Sequence, residues 1–160
     1  MNQQDFTTTM TVDRTPDEVF DAIINARGWW SRTIVGDTTH VGDEFVQHAP
    51  DLHWARLRVS ELEPGRTVVW QVLDSLFTFV ADQAEWRNTT IRFDLTETET
   101  GTELRFTHVG LFRDMECFDV CANAWGGYIG GSLRNLILNG TGSPNVDNVT
   151  SDIKDLNTVD

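Results

Sequence analysis

Lysine is nearly missing. Lys154 stands alone beside eleven Arg, against sixteen Asp and nine Glu, so the formal net charge is −13. A field of that sign repels phosphate, which makes nucleic acid and anionic membrane surfaces poor partners. Cysteine is almost as scarce. Cys117 and Cys121 are the only two, too close in sequence to staple a domain, and a disulfide within one helical turn has poor geometry. No run approaches the ~20 apolar residues of a membrane-spanning helix. The opening MNQQDFTTTM has neither the basic n-region nor the apolar h-region of a secretory signal, so the expected location is cytoplasmic. G-x-S-x-G, H-E-x-x-H, P-loop and G-x-G-x-x-G signatures are also missing. Nothing therefore announces nucleophilic, zinc-hydrolytic or nucleotide chemistry, and no cofactor or metal is implied.

What is present fits one domain: 160 residues, 39% hydrophobic and 23% charged. A chain of that length buries roughly two-thirds of its unfolded surface without staples. Residues 6 to 12 alternate Phe6, Thr8, Met10 and Val12 against three threonines, which predicts a strand with one buried face. Thr15-Pro16-Asp17-Glu18 predicts a helix start, with Thr15 as cap, Pro16 in the first turn and Glu18 completing a capping box. A second short helical turn closes at Trp29-Trp30. From Asp43 to Val109 a period of two recurs, predicting strands near 43–48, 53–62, 66–73, 76–81, 87–97 and 102–109. The inward faces are Ala55/Leu57/Val59, Val68/Trp70/Val72, Ile91/Phe93/Leu95 and Leu104/Phe106/His108; Arg56, Arg58, Arg92, Asp94, Glu103 and Arg105 fall on the other, solvated face. Residues 118 to 139 then carry apolar groups at spacings of three and four, a long helix ended by Gly140 and Pro144. It is the element long enough to cover the apolar face of the sheet.

Several tracts resemble a known family. WRNTTIRFDLTETETGTELRFTHVGL, ECFDVC, AWGGYIGGSLRNLI and GTGSPN, with PDEVFDAI, the Trp29-Trp30 pair, VGDEF and ELEPGRTVVW upstream, resemble the heat-shock-protein-90 ATPase activator homologues of the START-like, polyketide-cyclase-like superfamily. The resemblance implies an α+β helix-grip fold: a curved antiparallel sheet of about seven strands around a long C-terminal helix, with two short helices after the first strand and an apolar cavity between sheet and helix. It covers about residues 6–145, and the expected organisation is one domain over residues 1–145 with 146–160 as an extension. Members of this superfamily carry ligands, catalyse cyclisation or hydration, or assist chaperones, so the fold alone selects no function.

His108 is the only titratable residue on an inward strand face, and it reads in two ways: a polar anchor or acid/base in a dry cavity, or a core histidine hydrogen-bonded within the protein. His40, His48 and His53 are placed in or near loops. Cys117 and Cys121 with His108 would give three ligands at a spacing unlike that of zinc sites, so two small buried hydrophobes are expected instead. Six tryptophans are a heavy load of rings for this length. Trp70 and Trp125 are expected to project inward from sheet and helix with Phe93 and Phe106 between them, either lining a cavity or filling it.

At about 100° per residue, Ala124, Gly127, Gly131 and Leu138 form a second helix face opposite Trp125. Four glycines interrupt this helix, each costing roughly 1 kcal/mol against Ala, which suggests a close partner or a bend. Val146, Val149, Ile153 and Leu156 repeat at three, four and three, predicting a short docking helix in the tail. It would lie against that seam of its own chain or of a second copy, a homodimer through the outer face of the helix.

The leading expectation is a binding protein for a small apolar or aromatic molecule, with walls Trp70, Phe93, Phe106, Trp125 and Ile129 and His108 as polar anchor. The alternatives are a cochaperone-like domain that contacts a heat-shock ATPase, and a cofactor-free cyclase or hydratase. The residues leave open whether any catalysis occurs and assign none of them a catalytic role.

Overall fold

A computed structural model describes residues 5–31, 34–49, 53–77, 86, 88–112 and 118–144. The order is β1 (Asp5–Val12), α1 (Pro16–Ile24), α2 (Ala26–Trp29), β2 (Val35–Gly36), β3 (Glu44–Ala49), β4 (His53–Glu63), β5 (Thr67–Phe77), β6 (Thr90–Glu97), β7 (Thr102–Phe112) and α3 (Phe118–Gly127). The last helix then continues through a π-helical segment, Tyr128–Leu133, into α4 (Arg134–Asn139). The seven strands form one antiparallel sheet in the order β1-β7-β6-β5-β4-β3-β2. This is the expected α+β helix-grip arrangement: β1 closes back onto β7, and the C-terminal helix covers the inward face. No helix of the described residues is long and apolar enough to cross a membrane.

Local chemistry sets the first helix as its sequence predicts. Thr15 accepts from the Glu18 backbone N–H at 3.2 Å, while the Glu18 carboxylate takes the Thr15 N–H at 2.9 Å. Two orphan donors are thereby satisfied, and the Thr15 backbone N–H, with the Thr15 hydroxyl at 3.2 Å, holds the Glu18 carboxyl below its usual pKa. At the far end Gly140 adopts φ +81°, the left-handed cap that a residue with a Cβ resists.

The strands depart from their predicted limits where alternation breaks. Residues 66–73 and 76–81 read as two strands, but Thr67–Phe77 is continuous; residues 78–81 lie outside the described set. The apparent break is a bulge. Leu57 pairs with Val72 and Arg56 with Asp74, so Leu73 is extra and the inward/outward phase flips after it. Ser75, not Asp74, then faces inward opposite Ala55. The described strand β6 starts at Thr90, after a turn in which the Thr89 N–H reaches the Trp86 carbonyl at 3.0 Å and Asn88 takes φ 69°; residue 87, the predicted start, lies outside the described residues. β2 was not anticipated: two residues paired with Val46 and Phe45 are too short for periodicity to register. His48 and His53 stand at the paired ends of β3 and β4, beside the connection between them, as the predicted strands 43–48 and 53–62 place them; His40 lies outside the strands and is exposed.

The expected inward triplets are all buried, including Ala55, Leu57, Val59, Val68, Trp70, Val72, Phe93 and Phe106. From the helix, Trp125, Ile129 and Leu133 close on them, and α2 adds Trp29 and Trp30 to the same core. Outside, Arg58 pairs with Glu44 at 2.7 Å and Arg92 with Asp94 at 2.9 Å. Exposed pairs of this kind contribute little to stability, roughly 0.2–1 kcal/mol.

Candidate functional site: an aromatic interior between sheet and helix

The rows of paired residues give the interior its layout. Val59, Trp70, Ile91, His108 and Phe6 follow one another across β4, β5, β6, β7 and β1. The next row holds Leu62, Val68, Phe93, Phe106 and Thr8. Trp70 therefore stands diagonally over Phe93, with ring centroids at 5.1 Å and planes 70° apart. Phe93 meets Phe106 edge-on at 5.2 Å, and Phe106 meets Trp125 of the helix at 4.6 Å. Four of the five expected wall residues thus form one chain of contacts; the fifth, Ile129, is buried one helical turn beyond Trp125.

Three tryptophans missing from the expected walls belong to the same assembly. Trp30 stacks on Trp70 at 5.7 Å with planes 4° apart and leans on Trp125 at 5.1 Å. Trp29 stacks on Trp70 at 6.3 Å, and Trp86 stacks on Trp125 at 5.7 Å. Aromatic pairs are worth about 0.5–1.5 kcal/mol each beyond the area they bury. Trp29 and Trp30 lie on a turn too short for a periodic signal, and Trp86 lies in the turn before β6, so a search of strand faces passes over all three.

His108 is fully buried at the centre of a hydrogen-bond chain. The Trp125 indole N–H donates to its Nδ1 at 3.1 Å, so Nδ1 is an acceptor and the proton sits on Nε2. Nε2 then donates to Thr89 Oγ1 at 2.8 Å, and Thr89 donates to the Trp86 carbonyl at 2.6 Å. Burial pushes the His108 pKa down to about 3, so the ring is neutral at physiological pH. Both nitrogens serve the protein, tying helix, strand and turn together. The partners are side chains of distant elements, which spacing along one strand cannot reveal.

The indole N–H of Trp29 reaches the Ile23 carbonyl at 3.0 Å. Trp70 differs. Its ring is completely buried, and among the described residues its N–H has no acceptor. Ser75 is likewise 3% exposed with its hydroxyl unpartnered among those residues. Buried polar groups are paired in the great majority of cases, and leaving one unpaired costs about 1–3 kcal/mol.

The outer helix face is open. A Cβ placed on Gly126, Gly127, Gly130 or Gly131 would meet nothing within 4 Å. Gly127 is exposed on this side and Ala124 is half-buried, whereas Leu138 packs at the margin of the core, where its carbonyl accepts from Arg14 at 3.0 Å. The π-helical segment explains the rotation, since its wider turn shifts every later residue relative to a straight 100° count. Cys121 is a buried free thiol; Cys117 and the tail positions Val146, Val149, Ile153 and Leu156 lie outside the described residues.

No curated protein matches the chain. Solved structures share its fold at low identity. The Aha1 dimer of Colwellia psychrerythraea superposes with a TM-score of 0.70 at 22% identity, over 87% of this chain and 99% of that one. MLL2253 of Mesorhizobium loti follows at 0.67 and 19%, over 88% and 100%. CalU16 of Micromonospora echinospora gives 0.60 and 13%, over 98% and 82%. Residues 13–137 match the family model described as Activator of Hsp90 ATPase homolog 1-like protein, and the chain is a member of that family.

Proposed function

We propose that the protein binds a small, largely apolar or aromatic molecule between the concave face of the sheet and the C-terminal helix. The observation that carries this reading is the Trp70 indole: a fully buried donor without an acceptor among the described residues, set inside an aromatic wall. A ligand oxygen there would remove the cost of that unpaired group, and the flat rings would supply dispersion and stacking. Trp70, Phe93, Phe106, Trp125 and Ile129 form the walls. His108 acts through them, because its two hydrogen bonds fix Trp125 and the turn at Thr89. With both nitrogens engaged, it has no free site from which to exchange a proton with a substrate. This favours binding over acid–base catalysis.

Intrinsic tryptophan fluorescence, titrated with polycyclic aromatics, flavonoids and fatty acids, tests the reading. A saturable change with at least one aromatic compound is expected, because stacked indoles report directly on anything placed against them. Silence across the whole panel would overturn it.

A further inference from the structure

Packing alone does not ask for indoles. A phenyl or isobutyl group fills an apolar core with no N–H to satisfy, yet Trp29, Trp30, Trp70, Trp86 and Trp125 are all buried in it. They are also continuous. Trp29 lies on Trp30 with ring centroids at 6.2 Å and planes 17° apart, and both stack on Trp70. Trp30 touches Trp125, which in turn stacks on Trp86. Trp125 then meets Tyr128 edge-on at 6.3 Å. Tyr128 is the only tyrosine of the chain and is half-buried, so its ring connects the stack to the surface. Trp54, the sixth tryptophan, makes no ring contact among the described residues. Rings in contact are the easily oxidised groups of a protein placed where an electron can pass between them. One member also has an outlet for a proton. The Trp29 N–H meets a carbonyl, which is no base, whereas the Trp125 N–H meets Nδ1 of a neutral imidazole, which is one.

We propose that the tryptophan stack is a one-electron relay that carries oxidising equivalents from the core to the surface, with Trp125 and His108 as its proton-coupled centre and Tyr128 as its exit. The initiating oxidant is an oxygen-centred radical. It takes one electron from an indole and a proton from water, and becomes an alcohol or a hydroperoxide. Neighbouring rings refill that indole, and the vacancy moves along the stack to Trp125. There the Nε1 proton passes to His108 Nδ1, leaving a neutral indolyl radical beside an imidazolium. The positive charge is already inside the protein when the vacancy arrives, so this step moves it along one hydrogen bond and buries no new charge. Tyr128 then gives its electron to Trp125 and its phenolic proton to solvent, while His108 returns the first proton to Trp125. One oxidant is reduced, one tyrosyl radical is formed at the surface, and every indole is restored. The relay needs no bound molecule, so it stands apart from the binding reading above.

A laser flash at the red edge of the indole band tests this on the full-length chain carrying Trp54→Phe, which removes the isolated ring. The flash ejects an electron from an indole inside the stack, dissolved oxygen takes it up as superoxide, and transient absorption follows the vacancy left behind. The broad visible band of the indolyl radical should decay as the narrow near-ultraviolet band of the tyrosyl radical grows by the same amount, at a rate independent of protein concentration. Adding Tyr128→Phe, which deletes one hydroxyl, should abolish the second band and leave the neutral indolyl radical to persist. Adding His108→Gln to that variant keeps an acceptor for the Trp125 N–H but removes the base, so the long-lived species should shift to the redder band of the protonated radical cation. Absence of a tyrosyl radical in the Trp54→Phe chain, or a transfer rate proportional to protein concentration, would overturn the relay without reference to the other variants. The same neutral radical with and without His108 would overturn its part as proton acceptor.

Discussion

His108 shows what a single residue discloses and withholds. Alternation along residues 102–109 places its ring indoors, and the ring is there, completely buried. Its chemistry depended on Trp125, 17 positions away, and on Thr89, 19 positions away. Neither is marked as its partner by local spacing. The arrangement has a pH consequence. In the unfolded chain this histidine takes up a proton near pH 6.5; in the folded protein it does so only near pH 3. Between those values the unfolded state binds more protons, so stability falls as pH falls from 6.5 toward 3, by up to about 1.4 kcal/mol per pH unit from this group. Above 6.5 the term vanishes. Chemical denaturation of the parent and of His108→Gln across pH 4.5–7.5 checks this. The variant should be less stable at pH 7, with a shallower decline toward acid. Equal slopes would show that His108 is not the group responsible.

Among the elements, legibility follows length and regularity. Strands β1, β3 and β4 lie within a residue of their predicted limits, and helix α1 starts where its cap predicts, because each carries enough turns or alternations to average out exceptions. A bulge, a two-residue strand and a π-turn each defeat a fixed period, and all three occur here. The aromatic interior was half legible for the same reason. Its strand and helix members follow the periods, whereas Trp29, Trp30 and Trp86 come from turns. The glycines of the long helix carry a further prediction. Gly126 and Gly127 are α-helical, and a Cβ on either meets nothing within 4 Å. Ala at each position should stabilise the isolated chain by about 0.5–1 kcal/mol through reduced freedom of the unfolded state. Thermal melts of the single and double variants measure this, alongside mass by light scattering. If Ala124, Gly127 and Gly131 form the seam of a homodimer, as we propose from the open face, Gly127→Ala lowers the dimer fraction while raising monomer stability. A variant less stable at every protein concentration would contradict the open face itself.

At the scale of the whole molecule the acidic excess and the aromatic interior are separate features. Opposite charges on the outer face of the sheet are paired locally, Arg58 with Glu44 and Arg92 with Asp94, at exposed positions where each pair is worth little. Those pairs leave most of the 25 carboxylates without a cation, since only 12 lysines and arginines exist to meet them. Folding concentrates this surplus on a small surface, so self-repulsion opposes the compact state more than the expanded one. Salt should relieve it. Raising NaCl from about 0.01 M to about 1 M shortens the screening length from roughly 30 Å to roughly 3 Å, which silences repulsion across the molecule while costing only the weak surface pairs. The melting temperature is therefore expected to rise steadily with salt. Replacing Asp147, Asp152, Asp155 and Asp160 with Asn removes four negative charges and should flatten that rise. An increase of the same size in the variant would assign the salt effect to strengthened apolar burial instead of screening, and a falling melting temperature in the parent would show that its surface pairs outweigh its net charge.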